Sequence, residues 1–165
     1  YKKVLKRFLV TPVSPAMLLL VQFIVNLLVS LICLGMVYLV YLIFFDYHMR
    51  GSLIYFIPAY LLVLISIYSI GMMLASVSPN IKTANLLCCI FYFPMFFFSG
   101  TTLPYEIMPA GLKQAADLLP LTHGIKLLKA ASLDLPMDDM AFPVILMTAL
   151  AIICIGLSVR FFRWE

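Results

Sequence analysis

The sequence predicts an all-α integral membrane protein built on four membrane-spanning helices, and three observations predict it. Of the 165 residues, 65 % are apolar and only 11 % are charged. A soluble domain carries roughly a quarter charged residues, so this chain could not cover a water-facing surface. The apolar residues gather into four long runs, and a helix needs roughly 20 such residues to cross the hydrocarbon core. The charges fall almost wholly between those runs.

The first run, 17–45, exceeds the minimum and can tilt or extend into the interface. A short polar loop, 46–52, separates it from the second, 53–77. The third, 84–99, follows a polar stretch around Asn80 and Lys82 and is short for a full crossing. The fourth, 142–161, closes on Arg160. Segment 100–140 differs in kind. It holds Pro104, Pro109, Pro120 and Pro136 with most of the acids, and two short helices fit between these breaks, at 110–119 and 121–131. In the second of them Leu121, Ile125 and Leu128 recur at helical spacing while His123, Lys126 and Lys129 fall elsewhere. That is the pattern of an interfacial helix. The whole chain, 1–165, reads as one transmembrane domain.

A basic lead-in before an apolar run can mimic a signal peptide. Here the run is too long for one and no small-residue cleavage site follows it. Because the chain opens on Tyr1, it is read as a fragment starting inside a longer protein. Counting Lys and Arg by loop then orients it. Lys2, Lys3, Lys6, Arg7, Lys82, Arg160 and Arg163 share one side; Arg50, Lys113, Lys126 and Lys129 share the other. The first side is expected to be cytoplasmic, in the plasma membrane, with both ends of the chain there. Of the acids, only Glu165 lies on it.

Several chemistries are absent. No Asp, Glu, Lys or His falls within the four runs, and their one Arg, Arg160, sits at the closing end of the fourth, whereas ion-coupled carriers usually need an ionisable group within the membrane. No HExxH and no GxxxxGK[ST] occurs, so neither a metalloprotease nor a nucleotide-binding loop is expected, and no metal or other cofactor. Cys33, Cys88, Cys89 and Cys154 all lie in apolar runs without CxxC spacing and read as packed, inert thiols.

Some polar and small residues stand out. Gln22, Asn26 and Ser30 recur at i, i+4 and i+8 as a stripe on the first span. Stranding them in lipid is costly, so they face protein, through interhelical hydrogen bonds, or line a substrate path. Gly71 and Ala75 form a small-xxx-small pair suited to close packing. The aromatic run around Pro94 is read as lipid-facing or packing surface, with a constriction in an exit path as the alternative. His123 has no partner at ligand or general-base spacing and reads as a polar interfacial residue. In the lead-in, Val4, Leu5, Phe8 and Leu9 share one helical face and Lys6 and Arg7 another, up to the breaks at Pro12 and Pro15. Such a cytoplasmic helix, 1–15, lies on anionic lipid or docks into a partner groove.

Two stretches together resemble the permease subunits of type-2 ATP-binding-cassette exporters. Lys6-Arg7-Phe8-Leu9-Val10-Thr11-Pro12-Val13-Ser14-Pro15 is similar to that family's E-R-L-L-V-T-P-L-S loop, which holds a coupling helix. Phe98-Ser99-Gly100-Thr101-Thr102-Leu103-Pro104, then Met108-Pro109, then Leu118-Leu119-Pro120-Leu121-Thr122-His123 is similar to the family's S-G-x-x-x-P…P…P-L-T-H segment. The resemblance implies the last four spans of a six-span permease. Leu5, Lys6, Arg7, Phe8, Leu9, Val10, Thr11 and Pro12 would couple to the ATPase. A re-entrant extracellular segment, 100–140, would begin at Ser99 and Gly100 and carry Pro104, Pro109, Pro120, Thr122 and His123. It also implies a second permease in a homo- or heterodimer, and an ABC ATP-binding subunit carrying ATP and Mg. Lys6 departs from the pattern, which has an acid there.

The function expected is therefore that of the membrane component of an ATP-driven exporter, not itself an enzyme. Its partners would be the bilayer, the ATPase and a second permease, with no nucleic acid. The alternative is a non-transporting membrane scaffold or assembly protein. A membrane enzyme stands third, since no nucleophile–base or metal-ligand set is present.

Overall fold

A computed structural model describes residues 15–45, 51–100, 102, 107–134 and 140–161. These form six helices: α1 (Pro15–Phe45), α2 (Leu53–Val77), α3 (Ile81–Phe98), α4 (Ala110–Asp117), α5 (Pro120–Leu133) and α6 (Ala141–Phe161). No strand occurs among the described residues. Four helices are long and apolar enough to cross a membrane, within Leu20–Phe45, Leu53–Val77, Ile81–Phe98 and Ala141–Arg160. The chain divides into two units, one containing α1 and the other residues 47–161. Each is described by itself.

The helix ends follow from local chemistry. Pro15 and Pro120 each open a helix, where the missing N–H has no intrahelical partner to lose. The Ser52 hydroxyl caps α2 by accepting from the Ile54 N–H at 3.3 Å. α3 stops at Ser99–Gly100: Gly100 has φ 89°, a left-handed conformation that glycine adopts without a Cβ penalty. The Ser99 hydroxyl turns back to the Phe96 carbonyl at 3.1 Å. α5 ends on Asp134 at φ 55°, whose N–H reaches the Ala130 carbonyl. α3 begins three residues before the expected 84, because Asn80 is its N-cap and Lys82 lies within its first turn.

In the second unit α2 and α6 are the main pair, and serines join them. The Ser66 hydroxyl is shared between the Leu62 carbonyl on its own helix (2.8 Å) and the Met147 carbonyl on α6 (2.9 Å). Ten residues further along α2, Ser76 Oγ lies 2.9 Å from Ser158 Oγ. Because Ser76 already donates to the Met72 carbonyl, Ser158 is the donor. Residue numbers rise together in both contacts, so α2 and α6 run parallel. The chain must return once between them. α3, joined to α2 by residues 78–80, supplies that return, and α4 and α5 add no second one. Along the same seam Ser69, Ala151 and Cys154 are buried. Small residues let helix backbones approach where lipid offers no hydrophobic force to bring them together.

α5 lies against the first half of this pair and antiparallel to α2. Its C-terminal end meets the start of α2, where the Gly51 N–H donates to the Ser132 carbonyl at 3.0 Å. Near its other end, a methyl group added at Gly124 would come 2.9 Å from Met147 Cε and 3.0 Å from Val63 Cγ1. Ala59, Val63, Leu127, Ala131 and Met147 form the core at this three-helix junction.

Three expectations change. The buried face of α5 is Thr122, His123, Gly124, Leu127, Ala130 and Ala131, and Leu121, Ile125 and Leu128 flank it half-buried. Closeness of backbones selects the small residues, which an apolar count overlooks. Gly71 has nothing within 4 Å of the position a Cβ would take, so the close approach on α2 belongs to Ser66 and Ser76 instead. Of the thiols, only Cys154 is buried; Cys88 is half-buried, and Cys33 and Cys89 are exposed.

Gly124→Val will overpack the junction and cost about 1–3 kcal/mol, read as a fall in the detergent-denaturation midpoint. Val63→Ala added to it will restore part of the loss. Thr122 Oγ1, buried without a hydrogen-bond partner, gives a second test. Thr122→Val keeps the shape and removes an orphan hydroxyl whose burial costs about 1–3 kcal/mol, so the same midpoint will hold or rise.

Candidate functional site

The chemistry-bearing residues gather at the corner between α4 and α5. α4 ends at Asp117, and the Leu118 and Leu119 N–H groups fold back to the Ala115 and Ala116 carbonyls at 3.3 and 3.0 Å. Pro120 then starts α5. This tight link brings His123 back over the end of α4, where its Nε2 lies 2.8 Å from the Asp117 carbonyl oxygen. A carbonyl only accepts, so Nε2 carries the hydrogen. The imidazole also meets the Phe142 ring edge-on, with centroids 5.4 Å apart, which ties the corner to the start of α6. Lys126, two turns along from the corner, donates to Asp117 Oδ1 at 2.7 Å. Both side chains of that pair are more than a third exposed, 36 % for Lys126 and 43 % for Asp117, so in water it would contribute at most about 1 kcal/mol.

The motif residues thus have defined structural roles. Ser99 and Gly100 terminate α3, Pro109 is the N-cap residue of α4, and Pro120 opens α5. Thr122 and His123 face inward, at 1 % and 8 % exposure, so His123 is a buried corner residue. Pro104 lies outside the described residues. So do Leu5, Lys6, Arg7, Phe8, Leu9, Val10, Thr11 and Pro12.

On α1, Gln22 Nε2 donates to Asn26 Oδ1 at 3.3 Å, one turn apart. Ser30 is one turn further on the same face. Part of this polar stripe is therefore satisfied within the helix itself, which lowers the cost of carrying amides in an apolar run. On α3 the aromatic run is outward-facing. Phe91, Tyr92, Phe93, Phe96 and Phe97 are exposed, Tyr92 and Phe96 stack at 5.7 Å, and Met95 is the buried residue. That is the surface expected of a lipid-facing helix. Among the described residues no three His, Cys, Asp or Glu gather as a metal site.

Sequence reasoning passed over Gly124, the Asp117–Lys126 pair, and the α2–α6 serines. The available signal was weak. Ser66, Ser69 and Ser76 recur on one side of an apolar run, at spacings of three and seven, and Ser158 sits in another.

Residues 2–133 match the family described as ABC-2 type transporter. Among curated proteins the chain is similar to Nodulation protein J of Rhizobium leguminosarum bv. viciae, 26 % identical over 110 residues, which cover 67 % of this chain and 40 % of that protein. It is also similar to the proteins of that name in Sinorhizobium fredii (28 % over 108 residues, 66 % and 41 %) and Neorhizobium galegae (32 % over 88 residues, 53 % and 34 %). The chain spans about 40 % of the length of the first of these relatives. No solved structure matches it. With the match covering most of the chain and four apolar helices long enough to span a bilayer, this protein belongs to the ABC-2 type transporter family, as a membrane component.

Proposed function

We propose that the chain is the later part of the permease of an ATP-driven exporter, which forms the substrate path and takes its power from an ATP-binding partner. The observation that carries this is the ABC-2 match over residues 2–133, laid on four apolar helices. The permease pairs with a second copy or a related permease, and ATP and Mg bind on the partner ATPase. Leu5 to Pro12 form the coupling segment: Leu5, Phe8 and Leu9, at helical spacing, give it an apolar face for a groove on the ATPase. Lys6, where the resemblance leads one to expect an acid, meets an acidic group there or a lipid phosphate.

The basic side, with Lys82, Arg160 and the N-terminal cluster, is cytoplasmic by the distribution of Lys and Arg. The parallel run of α2 and α6 supports this threading, since it requires one return crossing between them. The register set by Ser76 and Ser158 also gives a depth scale. A hydrocarbon core of roughly 30 Å, counted back from Arg160 at ~1.5 Å per residue, ends near Pro58 on α2 and Met140 before α6. Gly124, against Val63, then lies roughly 8 Å inside that boundary, while the Gly51–Ser132 contact lies outside it. On this scale α4 and α5 form a re-entrant hairpin that dips into the outer leaflet and turns back.

Replacing Phe8, Leu9 and Val10 together by Asp will abolish permease stimulation of the co-expressed ATPase while leaving the permease in the membrane. Stimulation that survives the triple change rules out this docking segment. For orientation, a cysteine at Lys82 in a cysteine-free background will be labelled by a membrane-impermeant thiol reagent only after the cells are opened, and one at Ser52 in intact cells. The reverse pattern inverts the threading.

A further inference from the structure

We infer that α5 is clasped to α2 and α6 as one rigid body through backbone contact at Gly51, so that α5 travels with that body and does not swing as a lid. This deepens the permease reading and rests on it for the nucleotide cycle alone. A short helix between two proline breaks invites the opposite view, a hinged flap over an exit. Three contacts argue against a flap.

At one end of α5, the Gly51 N–H donates to the Ser132 carbonyl at 3.0 Å. That bond satisfies one of the last carbonyls of α5, which have no partner within the helix. The next residue, Ser52, is the N-cap of α2. The end of one helix and the start of another are therefore joined backbone to backbone across adjacent residues. The approach is so close that a Cβ at Gly51 would lie 2.0 Å from the Ala131 carbonyl oxygen and 3.0 Å from the Ser132 carbonyl carbon. These are backbone atoms and cannot rotate away, so glycine is required by contact.

Near the other end, Gly124 fits between Val63 of α2 and Met147 of α6, and Leu127 and Ala131 share the core with Ala59, Val63 and Met147. The third contact is the serine seam, which holds α2 and α6 to each other at Ser66 and Ser76. A flap anchored on both ends, with its middle packed, has no hinge left to use. By contrast α3 and α4 bury one side chain each, Met95 and Ala116. The opening of an outward path therefore displaces the α2–α5–α6 body against its surroundings.

The test measures the distance between spin labels at Ile54→Cys on α2 and Leu133→Cys on α5, both exposed positions, in the protein with Cys33, Cys88, Cys89 and Cys154 replaced by Ala. In lipid vesicles with its ATPase partner, the expected result is one narrow distribution that moves by less than about 2 Å between nucleotide-free and ATP-trapped states. Gly51→Val is expected to broaden it and move it outward. A distribution that shifts or splits with ATP in the glycine-bearing protein overturns the inference, as does one that Gly51→Val leaves unchanged. Should Gly51→Val fail to accumulate, amide hydrogen exchange at Gly51 in the unaltered protein decides. Protection of about 100-fold or more supports the clasp, and exchange at the rate of an unstructured amide overturns it. The exchange and nucleotide-free distance measurements need no transport activity. Failure of the permease reading would appear separately, as no ATPase association and no nucleotide response at any label pair.

Discussion

Helices surrounded by lipid cannot be held together by leaving water, because the chains around them are as apolar as their own side chains. What remains is closeness: small residues where backbones meet, and hydrogen bonds that lipid cannot replace. In this protein that constraint is concentrated where Gly124 of α5 enters the angle between Val63 and Met147. Gly124 sets how closely α5 seats against α2 and α6, while the Ser66 and Ser76 contacts hold those two helices to each other. A bulkier residue at Gly124 would push on a β-branched side chain that has little freedom to move.

The polar groups of the second unit obey the same constraint. Ser66, Ser69, Ser76 and Ser78 all return a hydrogen bond to their own helix four residues back, which makes a hydroxyl tolerable in an apolar run. Ser66 and Ser76 then also reach α6 at little additional desolvation cost. At the corner, His123 and Lys126 are both engaged with Asp117, one through its carbonyl and one through its carboxylate. Thr122 departs from the pattern, as a buried hydroxyl without a partner in the first turn of α5.

Much of the functional reading was legible in the sequence because it rests on motifs and hydropathy, which are local. The resemblance to type-2 exporter permeases was carried by short strings whose structural roles are also local: Ser99 and Gly100 stop a helix, and Pro120 starts one. His123 was harder to place. Nothing local to an isolated histidine in a polar stretch shows that the turn at Leu118 and Leu119 folds it back onto α4. Spacing pointed to Gly71, paired with Ala75, as the packing site, whereas the tight contact is at Gly124, which no small-residue spacing marked.

The helical class, the four long apolar runs and the family are readable from the residues alone, because apolar length, helix breaks and motif order are properties of the chain read along one dimension. That reading could not decide which helices touch. Parallel pairing of α2 with α6 joins residues 81 and 82 positions apart, and the Gly51–Ser132 bond joins the two sides of the whole α2–α5 segment. Their partners leave no periodic signal, since a serine that bonds its own helix and a glycine that admits a neighbour look the same in sequence as those that do neither. Only the tertiary structure distinguishes them, because the deciding quantity is the distance between two backbones.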